Sequence, residues 1–570
     1  MREIKLPVGN AFFADIRRDG EYYIDKTGLI RALVRRNAKA MLITRPRRFG
    51  KTLAMSMLSE FFDIRKDSRE LFEGLSIMKD TDICAQWMNQ YPTIFVSLRG
   101  VDGLSFESAF IRMTRELQTL YIDHSYLEDS DRIDESDRQL IRRIVSGNAA
   151  SNDVLDGLLS LTQIMRKHFG KPVILLIDEY DVPLAKASDH GYYREMVDVM
   201  RRLMRVIKDN PALKMAVVTG CLRIAKESIF TGTNNMATNT VLDSGFGEYF
   251  GFTQEEVDQL LLDAEMAGCR SEIQQWYDGY RFGEADVYCP WDVVNYVSDH
   301  IFADAAKPKC YWNNSSDNAI IRSFIDEVGP SVTDKFETLL AGGTITCAIR
   351  DDMTYDYLHA ADRSRLEENF WSVLVMTGYL TRAHSREAIV MEDSLSYYRN
   401  TVPLRIPNLE VRIVFEETVQ SWFRETVASM DRSALYTAVW NSDAERMTKE
   451  LRRILVKTIS YYDYGEDFYH AFLAGVFVGA GYVVESNREH GEGRSDIIVK
   501  EPYESRAAVF EIKYAKNKAE LPDCCEKALQ QIADKGYSED LTDMYDEILG
   551  YGIAFYKKSC LVKAGETIRC

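Results

Sequence analysis

Ala40-Met-Leu-Ile-Thr44, followed without a break by Arg45-Pro-Arg-Arg-Phe-Gly-Lys-Thr52, is the stretch on which the fold turns. Five residues without polar alternation read as a strand buried on both faces, and a helical pattern then runs from about Thr52 to residue 63. The connecting segment ends as the phosphate-binding pattern GxxxxGK[ST] ends. Gly50 allows the backbone to approach phosphate closely, and backbone N–H groups at the N-terminus of the next helix cradle the anion. Lys51 is expected to reach the β- and γ-phosphates and the Thr52 hydroxyl to bind Mg2+. The first glycine of the pattern is replaced by Arg45. Arg45, Pro46, Arg47, Arg48, Phe49, Gly50, Lys51 and Thr52 are together expected to form the nucleotide-binding loop.

Two further segments strengthen this reading. Val173-Ile-Leu-Leu-Ile177 runs directly into Asp178-Glu179, the form of a buried strand that delivers acids to its C-terminal edge beside such a loop. Asp178 is expected to support Mg2+ and Glu179 to polarise the attacking water. Val217-Val-Thr-Gly-Cys-Leu-Arg223 closes another apolar run. Thr219 is placed to sense the γ-phosphate, and Arg223 to stabilise developing charge in its own site or a neighbour's. Runs at 93–97 and 215–219 complete a set of strands separated by helical stretches near 106–121, 154–169 and 193–209. That alternation implies a parallel sheet covered by helices on both sides.

The rest of the chain divides by pattern. Residues 1–250 carry the phosphate loop and its sheet, 251–460 are mainly helical and rich in aromatics, and 461–570 form a small α/β domain. The predicted fold class is thus α/β: an N-terminal P-loop NTPase, a helical middle or lid region and a C-terminal restriction-endonuclease-like domain. Thr253 and Glu256 have capping-box spacing at the start of a middle-region helix. The cluster Trp276-Tyr-Asp-Gly-Tyr280 reads as core rather than as a base-stacking platform.

Composition sets outer limits. A chain of 570 residues with 46% hydrophobic and 28% charged side chains is ordinary globular protein, long enough for several domains. The net charge is -18, so bulk charge will not draw it to nucleic acid or anionic membrane. Residues 26–59 run against that balance, with nine basic side chains and no acid. Lys51 and one arginine serve a triphosphate; the others are available to nucleic acid, to another subunit or to solvent. No run reaches the ~18 apolar residues needed to cross a bilayer, and the N-terminus lacks the apolar segment of a signal peptide. A cytoplasmic protein without membrane contact is expected.

The C-terminal region holds Gly493-Arg-Ser-Asp496 before one strand and Glu511-Ile-Lys513 within the next. Glu511 and Lys513, two apart on a strand, share a face. If the two strands pair, Asp496 comes close to both. Two carboxylates then hold Mg2+, which lowers the pKa of bound water, and the lysine stabilises the developing charge. This is the PD-(D/E)xK arrangement for phosphodiester cleavage, with Ser495 in place of the motif's proline. Glu466 on the preceding helix fits an additional acid, and Gln530 or, by preference, Gln531 on the following helix fits the glutamine position.

The chain resembles the bacterial AAA-ATPase-like proteins with a C-terminal PD-(D/E)xK nuclease-like domain. The resemblance extends from near Leu6 to about residue 565. It is carried by Tyr22-Tyr-Ile-Asp-Lys26, the loop ending in Lys51-Thr52, Asp178-Glu-Tyr-Asp181, Thr219-Gly-Cys-Leu-Arg223, Tyr249-Phe-Gly-Phe-Thr253, Trp276-Tyr-Asp-Gly-Tyr280 and the C-terminal motifs. Arg45 is part of that family's version of the loop. The resemblance implies ATP and Mg2+ as cofactors, nucleic acid (DNA foremost) as partner, and work in defence or mobile-element biology. Two functional classes follow. One is an ATPase coupled to a Mg-dependent nuclease; the alternative is a nucleotide-controlled switch whose nuclease-like domain serves recognition or assembly without cutting. AAA-type relatives often form rings, so a homo-oligomer is expected.

Overall fold

A computed structural model of the chain describes residues 4–224, 236–303, 307–312, 330–350, 363–384, 401–417, 431–456, 466–478, 482–486, 489–490, 493–494, 497–534, 541–542, 544–557 and 559–569. The chain forms two compact units. One comprises Met1–Val328 with Gly342–Val414, the other Gly329–Ala341 with Phe415–Cys570.

The first unit is built on a five-stranded parallel sheet. Its strands are β1 (Ala40–Thr44), β2 (Thr93–Ser97), β3 (Val173–Asp178), β4 (Leu213–Gly220) and β5 (Met236–Asn239), in the order β2-β3-β4-β1-β5. The apolar runs have no polar face because the sheet has no solvent face. Met41, Ile43, Ile174, Leu176, Met215 and Val217 share one buried cluster with Leu58, Phe61 and Phe62 of helix α1 (Lys51–Phe62). The intervening residues Leu42, Leu175, Ile177 and Val218 are equally enclosed on the other side. This confirms the parallel, doubly covered sheet expected for a P-loop fold.

Helices Gln254–Asp263, Arg270–Tyr277 and Pro290–Phe302 pack in the same unit around Val257, Leu260, Ile273, Tyr277, Val293 and Tyr296. The Thr253–Glu256 capping box forms: Glu256 N–H donates to Thr253 Oγ1 at 3.4 Å and Thr253 N–H to Glu256 Oε2 at 2.8 Å. Tyr277 and Tyr280 are buried, in the core role expected of their cluster. Gly279 between them is obligatory. Its φ is +106°, and a Cβ there would stand 2.1 Å from the Pro407 carbonyl oxygen.

The second unit contains a mixed sheet of β6 (Val483–Ser486), β7 (Ile497–Glu501), β8 (Arg506–Tyr514), β9 (Glu547–Tyr556) and β10 (Ser559–Ala564), in that order. β8 and β9 run parallel; the other neighbours are antiparallel. Helix α2 (Glu466–Val478) precedes the sheet and α3 (Leu521–Asp534) follows β8. The pattern boundary near residue 460 falls inside this unit. Leu435, Val439, Leu451 and Ile454, on helices Ser433–Trp440 and Ala444–Val456, bury their side chains in the cluster that holds Ile497, Phe510 and Ile553.

Arg45, expected in the nucleotide-binding loop, is fully buried, and its guanidinium clasps strand ends together. Nη1 donates to the Thr44 and Asn239 carbonyls at 2.7 and 3.2 Å, and Nη2 to Asn239 Oδ1 at 2.7 Å. The group also lies against the rings of Phe250 and Phe282, at 5.2 and 5.4 Å. Burial lowers its pKa to about 9. The reason is geometric: a side chain at this position can reach back across the end of β1 to β5. Arg45→Met should therefore lower unfolding free energy by about 1–3 kcal/mol, while nucleotide affinity changes less than about threefold. Denaturant melts and nucleotide titration of the same preparation check both.

Candidate functional site

β1, β3 and β4 are adjacent and parallel, so their C-terminal ends open on one edge. Three motifs far apart in sequence meet there. Gly50 caps α1 in the left-handed region at φ +76°, a conformation that costs glycine little and turns the chain sharply into the helix. Arg48, two residues earlier, also has positive φ, at +70°. Phe49 is buried and packs edge-on against Tyr280 and Phe282, each at 4.9 Å, anchoring the loop from behind. Arg48 is held outside the loop: its guanidinium donates to the Tyr311 carbonyl and lies over Trp291. Pro46 is buried and Arg47 half-buried, the latter within electrostatic range of Asp189.

Asp178 is fully buried at the end of β3. Thr52 donates its hydroxyl to Oδ2 at 2.7 Å, and Thr219 donates to Oδ1. One carboxylate thus joins the first turn of α1 to the end of β4. Both hydroxyls have a second lone pair, and the carboxylate has more sites than its two donors fill. This oxygen set at the N-terminus of a twelve-residue helix suits a hard divalent cation beside phosphate. Lys51, 4% exposed, donates to the Arg45 and Pro46 carbonyls at 3.0 and 2.8 Å, and its Nζ lies 3.5 Å from Cys221 Sγ. Burial works against this ammonium. Cys221, Glu179, Asp181 and Asp178 outweigh it and hold its pKa above the ordinary value.

Glu179 occupies a left-handed backbone position, φ +52°, that a non-glycine residue adopts at a cost. Burial raises its pKa above the usual carboxylate range, against the pull of Lys51. Arg223 follows four residues after Thr219 on the loop leaving β4, and is half-buried. Two residues of the Asp178–Asp181 motif take a role that the sequence does not assign them. Tyr180 and Asp181 are buried and bond to that same loop. Asp181 does precede a helix, Val182–Asp189, with proline in its first turn. The sequence signal was therefore that of an ordinary helix cap, which hid the longer-range contact.

At least six of the nine basic side chains of the run 26–59 make contacts within the first unit. Lys26 pairs with Glu256 at 2.5 Å and Arg31 with Asp80 at 2.5 Å. Lys39 donates to the Leu213 carbonyl at 2.7 Å. With Arg45, Arg48 and Lys51 already placed, most of this charge is engaged in joining elements of the first unit.

In the second unit Glu511 and Lys513 stand together on β8. Glu511 is 1% exposed and Lys513 Nζ lies 3.0 Å from its Oε1. The antiparallel ladder with β7 pairs Ile497 with Phe510, one step short of Glu511. Asp496 itself lies outside the described residues. Glu466 begins α2, but its side chain also lies outside them. Gln531 is half-buried on α3, whereas its neighbour Gln530 is exposed and donates to Asp534 at 2.7 Å. That helix sits close over the sheet. A Cβ on Gly552, the partner of Glu511 in β9, would meet the Cys525 carbonyl at 2.4 Å.

Comparison with known proteins agrees with both halves. Residues 7–230 match the family model described as "Predicted AAA-ATPase", and residues 464–565 match that of the PD-(D/E)XK nuclease superfamily. A protein of Azotobacter chroococcum mcd 1, described as an uncharacterized protein in the vnfD 5' region, is 27% identical over 577 residues and is covered, like this chain, to 98%. A Walker-type ATPase of Pyrococcus abyssi aligns with 70% of this chain and 97% of its own, at 15% identity and a TM-score of 0.35. The chain thus carries an AAA-ATPase-like domain over residues 7–230 and a domain of the PD-(D/E)XK nuclease superfamily over residues 464–565.

Proposed function

We propose that this chain binds and hydrolyses ATP with Mg2+ at the edge of the parallel sheet, and that nucleotide turnover governs metal-dependent cleavage of nucleic acid by the C-terminal domain. The observation that carries the first half is the bridge from Thr52 through Asp178 to Thr219 beside the Gly50–Lys51 turn. Thr52 and Asp178 would hold the magnesium ion, which when bound neutralises charge on the β- and γ-phosphoryl oxygens. Lys51 exchanges the loop carbonyls for phosphate oxygens, and the first N–H groups of α1 complete the cradle. Glu179 orients water and takes its proton; its raised pKa brings it nearer to the working pH. Arg223 and Thr219 face the charge that develops on the transferred group.

In the C-terminal domain Asp496 and Glu511 would hold the metal, with Glu466 as an accessory acid. Lys513, already paired with Glu511, stabilises the pentacoordinate phosphate, and Gln531 steadies the lysine or the strand. DNA is the proposed substrate, the cytoplasm the proposed compartment, and a homo-oligomer the proposed working form. A second reading has one observation in its favour: most of the basic run is engaged in contacts within the first unit. On that reading the nucleotide switches assembly or partner binding, and the nuclease-like domain recognises without cutting. Incubation of labelled DNA and RNA with Mg2+ or Mn2+, with and without ATP, separates the two.

Lys51→Ala should reduce nucleotide affinity at least about 100-fold and leave the melting temperature close to wild type; retained tight binding overturns the loop assignment. ATP turnover should fall on the acid side at a pH above the ordinary glutamate range. Glu179 is active only when ionised, and burial raises the pH at which it protonates. Glu179→Gln should lower turnover by about 100-fold or more and abolish that acid limb. Asp496→Ala and Glu511→Gln should each remove metal-dependent cleavage; wild-type cutting by both places the nuclease centre elsewhere.

A further inference from the structure

The loop that leaves β4 after Gly220 is held by side chains from the end of β3. Asp181 Oδ2 accepts from Cys221 N–H at 2.8 Å and from Leu222 N–H at 2.9 Å. Tyr180 donates its hydroxyl to the Leu222 carbonyl at 2.8 Å and accepts from Ile224 N–H at 2.9 Å. Tyr180 N–H also donates to the Thr219 carbonyl at 3.1 Å. Two consecutive side chains thus bind four main-chain groups on a loop some forty residues away in sequence, on both sides of Arg223.

Simpler roles for the pair do not account for this. Asp181 precedes a helix but makes no side-chain cap bond to it. It is not aimed outward as a metal ligand either. Oδ2 is taken by two N–H donors, and Oδ1 is buried, lying 2.5 Å from where a Cβ on Gly220 would be. A phenylalanine would fill the Tyr180 site equally well if packing were the whole role, but the hydroxyl is used both as donor and as acceptor. Gly220 completes the fit, since a Cβ there would also come within 2.8 Å of the Tyr180 ring. The close approach of the two segments is therefore built from three chemically different residues.

We infer that Tyr180 and Asp181 are positioning residues that clamp the Gly220–Ile224 loop to the end of β3, fixing Arg223 for phosphate chemistry and seating the Cys221 thiol beside Lys51. The mechanical consequence is that Glu179 and Arg223 cannot move independently. The strained turn at Glu179 lies between Asp178, which grips Thr52 and Thr219, and the clamp, which grips the Arg223 loop. A displacement of the β3 end is transmitted to both groups. The inference rests on the ATPase reading for its effect on turnover, but the clamp itself has a separate readout in Cys221.

The test uses full-length protein carrying Asp181→Asn or Tyr180→Phe. Nucleotide affinity should stay within about threefold of wild type while kcat falls about tenfold or more. An amide in place of the carboxylate weakens two charge-assisted bonds, and the loss of the hydroxyl frees Leu222 and Ile224. Alkylation of Cys221 by N-ethylmaleimide, followed by peptide mass spectrometry, should become at least about threefold faster as local opening grows. In an Arg223→Ala background Asp181→Asn should cost less than about twofold in kcat, because the residue acts through that arginine. Full multiplicative losses in the double variant, equal loss of affinity and kcat, or unchanged Cys221 alkylation would each overturn the clamp. If wild-type protein hydrolyses no ATP, the ATPase reading fails, and the alkylation rates alone decide the clamp. Tyr180→Phe removes one oxygen atom and serves as the variant least disturbing to the fold.

Discussion

The buried carboxylate of Asp178 is the constraint around which the first unit is organised. A charge at zero exposure is stable only when hydrogen-bonded, and its two donors come from different elements: Thr52 at the start of α1 and Thr219 at the end of β4. The strand order makes this unavoidable. With β4 between β1 and β3, the phosphate loop, the acids and the Thr219 loop all emerge on one edge. Moving any of these strands by one register step would take at least one donor from the buried carboxylate.

Around that centre the molecule uses positive charge as internal mortar. Arg45 clasps β1 to β5, Lys26 joins the N-terminal segment to the capping box at Thr253–Glu256, and Arg48 braces the loop against Trp291 and Tyr311. The basic run in an acidic chain therefore reflects the density of connections that converge behind the phosphate loop. Lys51 is the member whose ammonium faces the acids of the site, and they keep it charged despite its burial.

Much of this was legible in the sequence, for definite reasons. The apolar strands at 40–44 and 173–177 could be read because a sheet covered on both sides tolerates no alternation. Gly50-Lys-Thr52 and Asp178-Glu179 could be read because phosphate and metal chemistry restricts residue type and spacing. Glu511 and Lys513 could be paired because strand periodicity puts them on one face, and they do meet at 3.0 Å. What was hidden depends on contacts distant in sequence. Nothing local shows that Arg45 turns inward to Asn239, or that Asp181 binds a loop forty residues on rather than its own helix. Helices 433–456 read as middle region because their amphipathic pattern does not say which core receives the apolar face; Phe510 and Ile553 receive it.

On the proposed reading, Asp178 makes this edge a magnesium–nucleotide site. Mg-dependent ATP hydrolysis by the purified full-length chain should be compared with that of Asp178→Asn, which keeps the side-chain shape but removes the charge and replaces one acceptor oxygen with an NH2 donor. Turnover is expected in the wild type and its loss in the variant, with the melting temperature little changed. Equal Mg-dependent hydrolysis by both proteins would contradict that reading.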